Sequence, residues 1–176
     1  MPRILPVLSP DESQNQTFDE LLSTRRRIPT MYGILAHHPE ILKAHRAYFR
    51  AALDSGRLDR AFKEKIAYRV ALVRDSSYSS ASHRRYALEL GVPDSQLRAI
   101  EVGDFSTLER RERAALELAD AAASSSGVSD RVFDALSTHF APAEQVEISA
   151  LIGVMILASS LGEIFDLEPD SNGAPR

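Results

Sequence analysis

The sequence predicts an all-α protein that folds as one domain. Apolar residues recur at three- and four-residue spacings through most of the chain, which is typical of amphipathic helices. No segment alternates apolar and polar residues as a half-buried strand does, and no hairpin turn signal occurs. The length of 176 residues fits one domain, which buries about 70% of the surface of its unfolded chain. We therefore expect residues 1–176 to form a single helical bundle of about eight helices.

The first half of the chain begins with an arm and continues as helices. Three prolines space residues 1–10, and they predict an extended arm because a proline ring restrains its own residue and the one before it. The helical segments predicted after this arm are 11–26, 31–36, 39–54 and 58–73. Pro39 stands at a favourable first position of a helix. Segment 58–73 is apolar on nearly every face, so we expect it to be the central helix.

A second group of helices follows residue 75. The predicted segments are 76–91, 94–102, 107–123, a helix that Ser129 caps, and 141–164. Gly91 stands where a glycine commonly ends a helix. Residues 124–127 lack periodicity only briefly, so they are interpreted as a loop and not as a domain linker. Residues 167–176 are polar and are expected to form a frayed tail.

Charge and composition exclude several classes of function. The net charge is -4 and no basic strip with interleaved aromatic residues occurs, so we expect no nucleic-acid partner. The chain has no cysteine, which excludes disulfides, thiolate metal ligands and a peroxidase cycle run by its own thiols. The proline-broken N-terminus lacks the apolar core of a signal peptide, and the apolar run 146–161 is too short and mixed to span a bilayer. We expect a cytoplasmic protein without a membrane partner.

The segment 64–91 carries the candidate chemistry. It is interpreted as the end of one helix, a sharp break, and a second helix that Ser76 caps. Ser76, Ser79 and His83 share one face of the second helix, because they are spaced i, i+3 and i+7. Glu64 lies on the preceding helix. Two hydroxyl groups, an imidazole and a carboxylate in this arrangement are compatible with a chemical site, and equally with a capped helix that carries an incidental histidine.

The spacing in this segment resembles the signature of the carboxymuconolactone decarboxylase and alkylhydroperoxidase D superfamily. That signature is a Glu followed twelve residues later by C-x-x-C-x-x-x-H, and here Glu64 is followed at that distance by S-S-Y-S-S-A-S-H. The resemblance extends roughly over residues 57–100, with Ser76 and Ser79 at the positions of the two cysteines. It implies the superfamily's helical fold. It also implies that Glu64 and His83 form the proton relay that, in thiol-bearing members, activates the distal cysteine.

Three functions are compatible with a motif that keeps the Glu and His but lacks the cysteines. The first is acid–base turnover, of the lyase, decarboxylase or isomerase type, of a small anionic organic substrate. In this hypothesis His83 moves a proton and Glu64 orients it, while Ser76 and Ser79 donate hydrogen bonds. The second is an alkylhydroperoxidase- or peroxiredoxin-type thiol peroxidase in a form where serine replaces cysteine. The third is a non-catalytic oligomeric scaffold.

Each of these residues also has a purely structural interpretation. Ser76 is suited to be a helix N-cap, and it lies two turns from His83, about 10 Å by helix rise, too far for a direct dyad. Ser79 is better placed, because it is spaced i, i+4 from His83. Tyr78 stands between the serines, where a hydrogen-bonding side chain would bridge the relay or an aromatic ring would simply pack.

We expect no cofactor and no metal. His37, His38 and His45 cluster in the sequence, but no carboxylate completes a recognisable set of metal ligands. The last helix is apolar on nearly every face, which a small monomer can hardly bury alone. This helix, together with the superfamily resemblance, predicts a homo-oligomer, a trimer or hexamer, that acts on a small-molecule substrate.

Overall fold

A computed structural model describes residues 1–8, 28–124 and 126–170 of the chain. Its described part contains α-helices, one short π-helix and no strand, so the all-α prediction is confirmed. The α-helices are α1 (Thr30–Leu35), α2 (Pro39–Phe49), α3 (Arg60–Val73), α4 (Ser77–Glu89), α5 (Asp94–Val102), α6 (Arg110–Ala123), α7 (Asp130–His139) and α8 (Pro142–Ile164). The helix predicted over 11–26 lies outside the described residues, as do residues 171–176.

The central helix of the bundle is α3, as its sequence predicts. It packs against α4, α6 and α8, and its residues Ile66, Ala67 and Val70 are fully buried in the main core. A second, smaller core lies beneath α1. It consists of the buried residues Met31, Tyr32, Ile34, Leu35, Ala36, Leu42, Tyr78 and Leu167. Helix α4 contacts both cores, because Tyr78 in its first turn belongs to the smaller core and Ala87 near its end belongs to the main core.

The break between α3 and α4 has a clear local cause. Asp75 adopts a left-handed backbone with a φ of 51°, which turns the chain sharply after α3. The Ser76 side chain then accepts a hydrogen bond from the backbone N–H of Ser79 at 3.4 Å, the expected N-cap of α4. Gly91 has a φ of 84° and follows the end of α4, where a residue without a Cβ is favoured.

The helix predicted over 39–54 is not regular to its end. The α-helical pattern stops at Phe49, and Arg50–Asp54 form a π-helix in which Ser55 N donates to Arg50 O at 3.2 Å. A π-helical turn widens the helix and shifts the side chains that follow it, and such turns are frequent at functional sites. Here the turn ends at Asp54, which contacts the candidate site described below.

The N-terminal segment 1–8 packs on the bundle near the end of α8 and on α1. Residues Arg3 and Val7 donate backbone hydrogen bonds to Phe165 O and Gly33 O, each at 2.9 Å. Residues 167–170 differ from the frayed tail that their polarity predicts, because Leu167 is buried in the smaller core. Asp170 accepts a hydrogen bond from the Thr30 hydroxyl at 2.6 Å. Segment 167–170 is therefore held by the buried side chain of Leu167 and by the hydrogen bonds that the Asp170 carboxylate accepts.

The last helix, α8, meets the length and composition of a membrane-spanning helix within the described part of the chain. In its most apolar window of 18 residues, 44% of the residues are buried inside the bundle. Val146, Gly153, Leu157 and Ile164 lie on its exposed face. The helix therefore combines a core face with an exposed apolar stripe.

Candidate active site

The structure brings the predicted carboxylate and imidazole into direct contact. Glu64 on α3 and His83 on α4 face each other, and Glu64 Oε2 lies 2.6 Å from His83 Nδ1. Both side chains are buried, with 0% of Glu64 and 6% of His83 exposed. The left-handed turn at Asp75 makes this contact possible, because it folds α4 back along α3.

An arginine that the sequence analysis did not select holds the other oxygen of Glu64. Arg60 lies one turn earlier on α3, and its Nε and Nη2 donate to Glu64 Oε1 at 2.8 and 2.6 Å. Its Nη1 donates to Asp54 at the end of the π-helix. Asp54 in turn lies 3.7 Å from Arg46 Nη1. The Glu64–His83 contact is thus the buried end of a series of alternating charges that continues through Arg60 and Asp54 toward the surface.

These contacts keep Glu64 ionised. Burial by itself would raise the pKa of the Glu64 carboxyl group, but the charges and hydrogen bonds of His83 and Arg60 outweigh burial and lower the pKa overall. An ionised Glu64 accepts a hydrogen bond, so the tautomer of neutral His83 that fits carries its proton on Nδ1. His83 Nε2 then presents a lone pair, and it has no hydrogen-bond partner among the described residues.

The two serines lie beside this pair without joining it. Ser76 and Ser79 are both buried at the start of α4, and Ser76 Oγ faces α8 close to Gly162. Within the described residues no hydrogen bond joins either hydroxyl to His83. The N-cap interpretation of Ser76 is therefore seen in the structure. Catalytic roles for Ser76 and Ser79 stay predictions.

The Tyr78 hydroxyl is held away from the Glu64–His83 contact. It accepts a hydrogen bond from Met31 N at 3.2 Å and donates one to Asp170 Oδ2 at 3.0 Å. Burial, followed by the negative charge of Asp170, raises the pKa of Tyr78, so the phenol stays protonated. The structure places this side chain as a tie between α4, α1 and the C-terminal segment.

Aromatic rings extend the site from His83 toward α2. The Phe49 ring is tilted against the His83 ring with their centroids 6.4 Å apart, and it is stacked against the His45 ring at 6.1 Å. On the far side, Tyr86 meets His83 edge-on at 6.4 Å. In the sequence, His45 stands out only as part of an incomplete set of metal ligands, and nothing marks Phe49. No motif marks either residue. His45 and Phe49 are spaced i, i+4 on α2, whereas the contact of Phe49 with His83 depends on how α2 lies relative to α4.

Signals in the sequence could have identified only part of what was missed. Arg60 is spaced i, i+4 before Glu64 on one helix, a spacing at which opposite charges meet. Asp54 gives no such signal. It contacts Arg60 because it stands at the end of the π-helix, which the sequence does not predict. Among the residues that the structure describes, no three His, Asp or Glu side chains gather as metal ligands do.

Solved structures show that this bundle is a known fold. The chain superimposes on a peroxidase-related protein of Ralstonia eutropha JMP134 described as an alkylhydroperoxidase AhpD core, at 21% identity, with 96% of this chain and 92% of that chain covered and a TM-score of 0.83. A peroxidase-related protein of Silicibacter sp. TM1040 gives 17% identity, coverage of 95% and 90%, and a TM-score of 0.83. The debrominase Bmp8 in complex with 2,3,4-tribromopyrrole gives 18% identity, coverage of 97% and 95%, and a TM-score of 0.82. The fold is therefore the AhpD-like helical fold.

One segment of the sequence matches a family model. Residues 39–121, which include Glu64, Ser76, Ser79 and His83, match the carboxymuconolactone decarboxylase family. No curated protein gives a significant match to the chain. Over this segment the chain therefore resembles the carboxymuconolactone decarboxylase family, it shares the AhpD-like fold, and it contains no cysteine.

Proposed function

We propose that this protein is an enzyme that catalyses acid–base turnover, of the lyase, decarboxylase or isomerase type, of a small anionic organic substrate. The observation that carries this proposal is the buried contact between Glu64 and His83, locked by Arg60 in a chain that has no sulfur nucleophile. A buried carboxylate and imidazole with a fixed tautomer form an arrangement that general acid–base catalysis uses.

In this proposal His83 is the proton carrier. Its Nε2 takes a proton from the substrate, and the imidazolium that forms is stabilised by Glu64 at Nδ1. The same nitrogen then returns the proton to another substrate atom or to the product. A positioned general base accelerates a reaction by roughly 10²–10⁴-fold. Arg60 acts through Glu64 as a positioning residue, because its two hydrogen bonds prevent the carboxylate from rotating away.

The start of α4 supplies the remaining groups. A helix N-terminus favours negative charge, so the hydroxyls of Ser76 and Ser79 are proposed to donate hydrogen bonds to oxygen atoms of an anionic substrate. Tyr78 is proposed to position these serines, since its hydroxyl ties the first turn of α4 to Met31 and Asp170.

The experiment that tests the proposal follows a proton. Small lactones, keto acids and unsaturated carboxylic acids are incubated with the protein in D₂O, and deuterium incorporation at carbon is measured by NMR. We expect exchange with the wild type and at least a hundredfold loss in His83→Ala. His38→Ala is the matched control, because His38 is exposed and lies outside the site. If both variants exchange at the wild-type rate, the assignment of His83 is wrong.

A second function is favoured by the fold relatives, two of which are described as peroxidase-related. In this alternative the chain is a thiol peroxidase in which Ser76 and Ser79 replace the redox cysteines. Serine forms neither a sulfenic acid nor a disulfide, so the alternative requires both cysteines to be restored. The variant Ser76→Cys/Ser79→Cys, assayed with hydrogen peroxide and a dithiol reductant, would gain peroxidase activity. A non-catalytic scaffold is the third candidate, and it predicts no turnover in either assay.

We also propose that the chain is a cytoplasmic homo-oligomer, a trimer or hexamer, with a small molecule as its ligand and neither nucleic acid nor membrane as a partner. The support for assembly is the exposed apolar stripe on α8, which contains Val146, Leu157 and Ile164. An apolar stripe along a helix is typical of a surface that another helix covers.

A further inference from the structure

One histidine of the bundle lacks the partners that a buried imidazole normally has. His45 on α2 is only 8% exposed, and both of its ring nitrogens are buried without a hydrogen-bond partner among the described residues. Burial, with the nearby Arg46 charge as a second cause, lowers the pKa of His45, so the ring is neutral. A neutral imidazole carries one donor and one acceptor, and leaving both unpaired costs free energy. An apolar residue of similar size would avoid that cost.

The surroundings of His45 are apolar and aromatic. Tyr32 meets its ring edge-on at 6.0 Å, and Phe49 is stacked against it at 6.1 Å with 21° between the ring planes. Phe49 is only partly buried and also contacts the ring of His83. One phenyl ring therefore separates two imidazoles, each of which has a nitrogen without a hydrogen-bond partner in the described part of the chain.

A cation lies beside the same tyrosine. The Arg46 guanidinium carbon is 5.9 Å from the centre of the Tyr32 ring, and Arg46 Nε is buried without a hydrogen-bond partner in the described residues. The contact of Arg46 with Asp54 uses Nη1 at 3.7 Å, which leaves the Nε–H unused. A buried N–H of a guanidinium is a strong donor for a carboxylate, because the bond is charge-assisted.

We propose that His45 and Arg46 bind the carboxylate of a flat aromatic or unsaturated acid, whose ring lies against Phe49 and whose far end reaches His83. The proposal rests on the proposed function for the role of His83, and it adds the site that selects the substrate. His45 and Arg46 supply donors for the carboxylate, and Phe49 supplies a surface that favours a flat ring. An acid without a ring would lack the contact with Phe49, and an uncharged ring would lack the hydrogen bonds with His45 and Arg46.

The test uses benzoate as the probe, with phenol and acetate as partial probes, and binding is measured by NMR titration of the whole chain. We expect benzoate to bind the wild type at least tenfold more tightly than either partial probe. His45→Leu and Arg46→Gln should each weaken benzoate binding about tenfold, the loss expected for one hydrogen bond to a charged group. His38→Leu is the matched control, because His38 is an exposed histidine that directly precedes α2, and it should bind benzoate as the wild type does.

Further readouts separate this site from a merely structural role and from the proposed catalysis. His45→Leu should raise the melting temperature of the free protein, because an unpaired polar ring is removed from an apolar place. His45→Gln, which keeps a donor and an acceptor, should retain part of the benzoate affinity if the leucine variant does not fold. His83→Ala should still bind benzoate, because the proposed donors for the carboxylate are His45 and Arg46. The binding result can therefore be interpreted even if the proposed catalysis by His83 is wrong.

Three results would overturn the proposal. The first is equal affinity of His45→Leu and the wild type for benzoate. The second is phenol binding as tightly as benzoate, which would show that Arg46 does not select an anion. The third is the absence of binding by all three probes to the wild type at millimolar concentration.

Discussion

Two neighbouring residues of α3, Lys63 and Glu64, are both charged and buried, but the networks of contacts around them differ. Lys63 is 1% exposed, donates to Ser55 O and pairs with Glu147 of α8. Glu147 also accepts from the backbone N–H groups of Arg57 and Leu58 at 2.8 and 3.2 Å. This network closes the loop before α3, and it uses both carboxylate oxygens of Glu147.

The network one residue further along the chain is built from similar parts but ends differently. Glu64 is also fully buried and also has both oxygens paired, with Arg60 and His83. Its last member, however, presents one nitrogen, Nε2 of His83, that has no partner in the described part of the chain. The difference teaches that a buried ion pair is by itself a structural feature. A group left over for a ligand is what makes the second network a candidate site.

Breaking the Lys63–Glu147 network should give the largest loss of stability. Lys63→Met leaves the Glu147 carboxylate beside the loop without its cation, and removing one partner of a buried pair costs about 3–5 kcal/mol of stability. Urea denaturation should report this loss as a lower midpoint. The double variant Lys63→Met/Glu147→Gln should recover part of it. An unchanged midpoint in the single variant would mean that the pair contributes nothing.

The loop that this network closes offers a second test. Gly56 has a φ of 106°, and a Cβ at this position would overlap the Glu147 carboxylate. Gly56→Ala should therefore destabilise the chain by about 1–3 kcal/mol, through backbone strain and displacement of the carboxylate. Gly127→Ala is the matched control, because Gly127 also has a positive φ, of 75°, but no atom of the described residues lies within 4 Å of a Cβ added there. Equal losses would assign the whole effect to the backbone.

The catalytic network should respond more in activity than in stability. Glu64→Gln keeps the shape of the side chain but removes the charge that fixes and stabilises the His83 imidazolium. We expect turnover in the deuterium exchange assay to fall about 10–100-fold, a loss of roughly 1.4–2.7 kcal/mol of transition-state stabilisation. A variant with full exchange activity would contradict the pairing of these two residues in catalysis.

Acid should weaken both networks in the same pH range. In the folded protein the pKa values of the Glu64 and Glu147 carboxyl groups are lowered below their ordinary value of 4.5. Burial opposes the lowering in each case, but His83 and Arg60 outweigh it at Glu64, and Lys63 and two backbone N–H groups outweigh it at Glu147. The unfolded chain therefore binds more protons near pH 4.5, and stability is present above that pH and falls as the pH drops further.

The measurement is the unfolding free energy between pH 6 and pH 3. Each unit by which a pKa is lowered contributes about 1.4 kcal/mol over this range. Glu64→Gln should show a shallower decline than the wild type, because one of the carboxyl groups whose pKa is lowered in the folded protein is gone. Parallel curves would show that Glu64 does not titrate with a lowered pKa.

The smallest effect on the fold is expected on the exposed face of α8. Leu157 is 46% exposed there, so Leu157→Glu should leave the melting temperature nearly unchanged while it charges the proposed contact between subunits. Light scattering after size-exclusion chromatography should then give a smaller assembly than the wild type. Val102→Glu is the control, since Val102 is 77% exposed at the end of α5. If both variants keep the wild-type mass, α8 is not the contact.

The agreement between the predicted and the observed elements varies along the chain. The helices from α1 to α8 follow the predicted order, and most of their boundaries lie within a few residues of the prediction. The main departures are the π-helix at Arg50–Asp54 and the ordered residues 167–170. A π-helix carries no periodic signal over five residues, and an ordered polar segment depends on donors that lie far away in the sequence.

The sequence by itself determined most of the described helices and the N-cap at Ser76, because these depend on helical periodicity and local capping. The pairing of Glu64 with His83 was predicted by the resemblance to the superfamily signature. Only the tertiary structure decided the rest of the site. Phe49 lies between two imidazoles, and Asp54 closes the charge chain, because α2 and its π-helix pack against α3 and α4. Contacts between helices depend on packing angle and distance, and no local pattern of residues encodes either quantity.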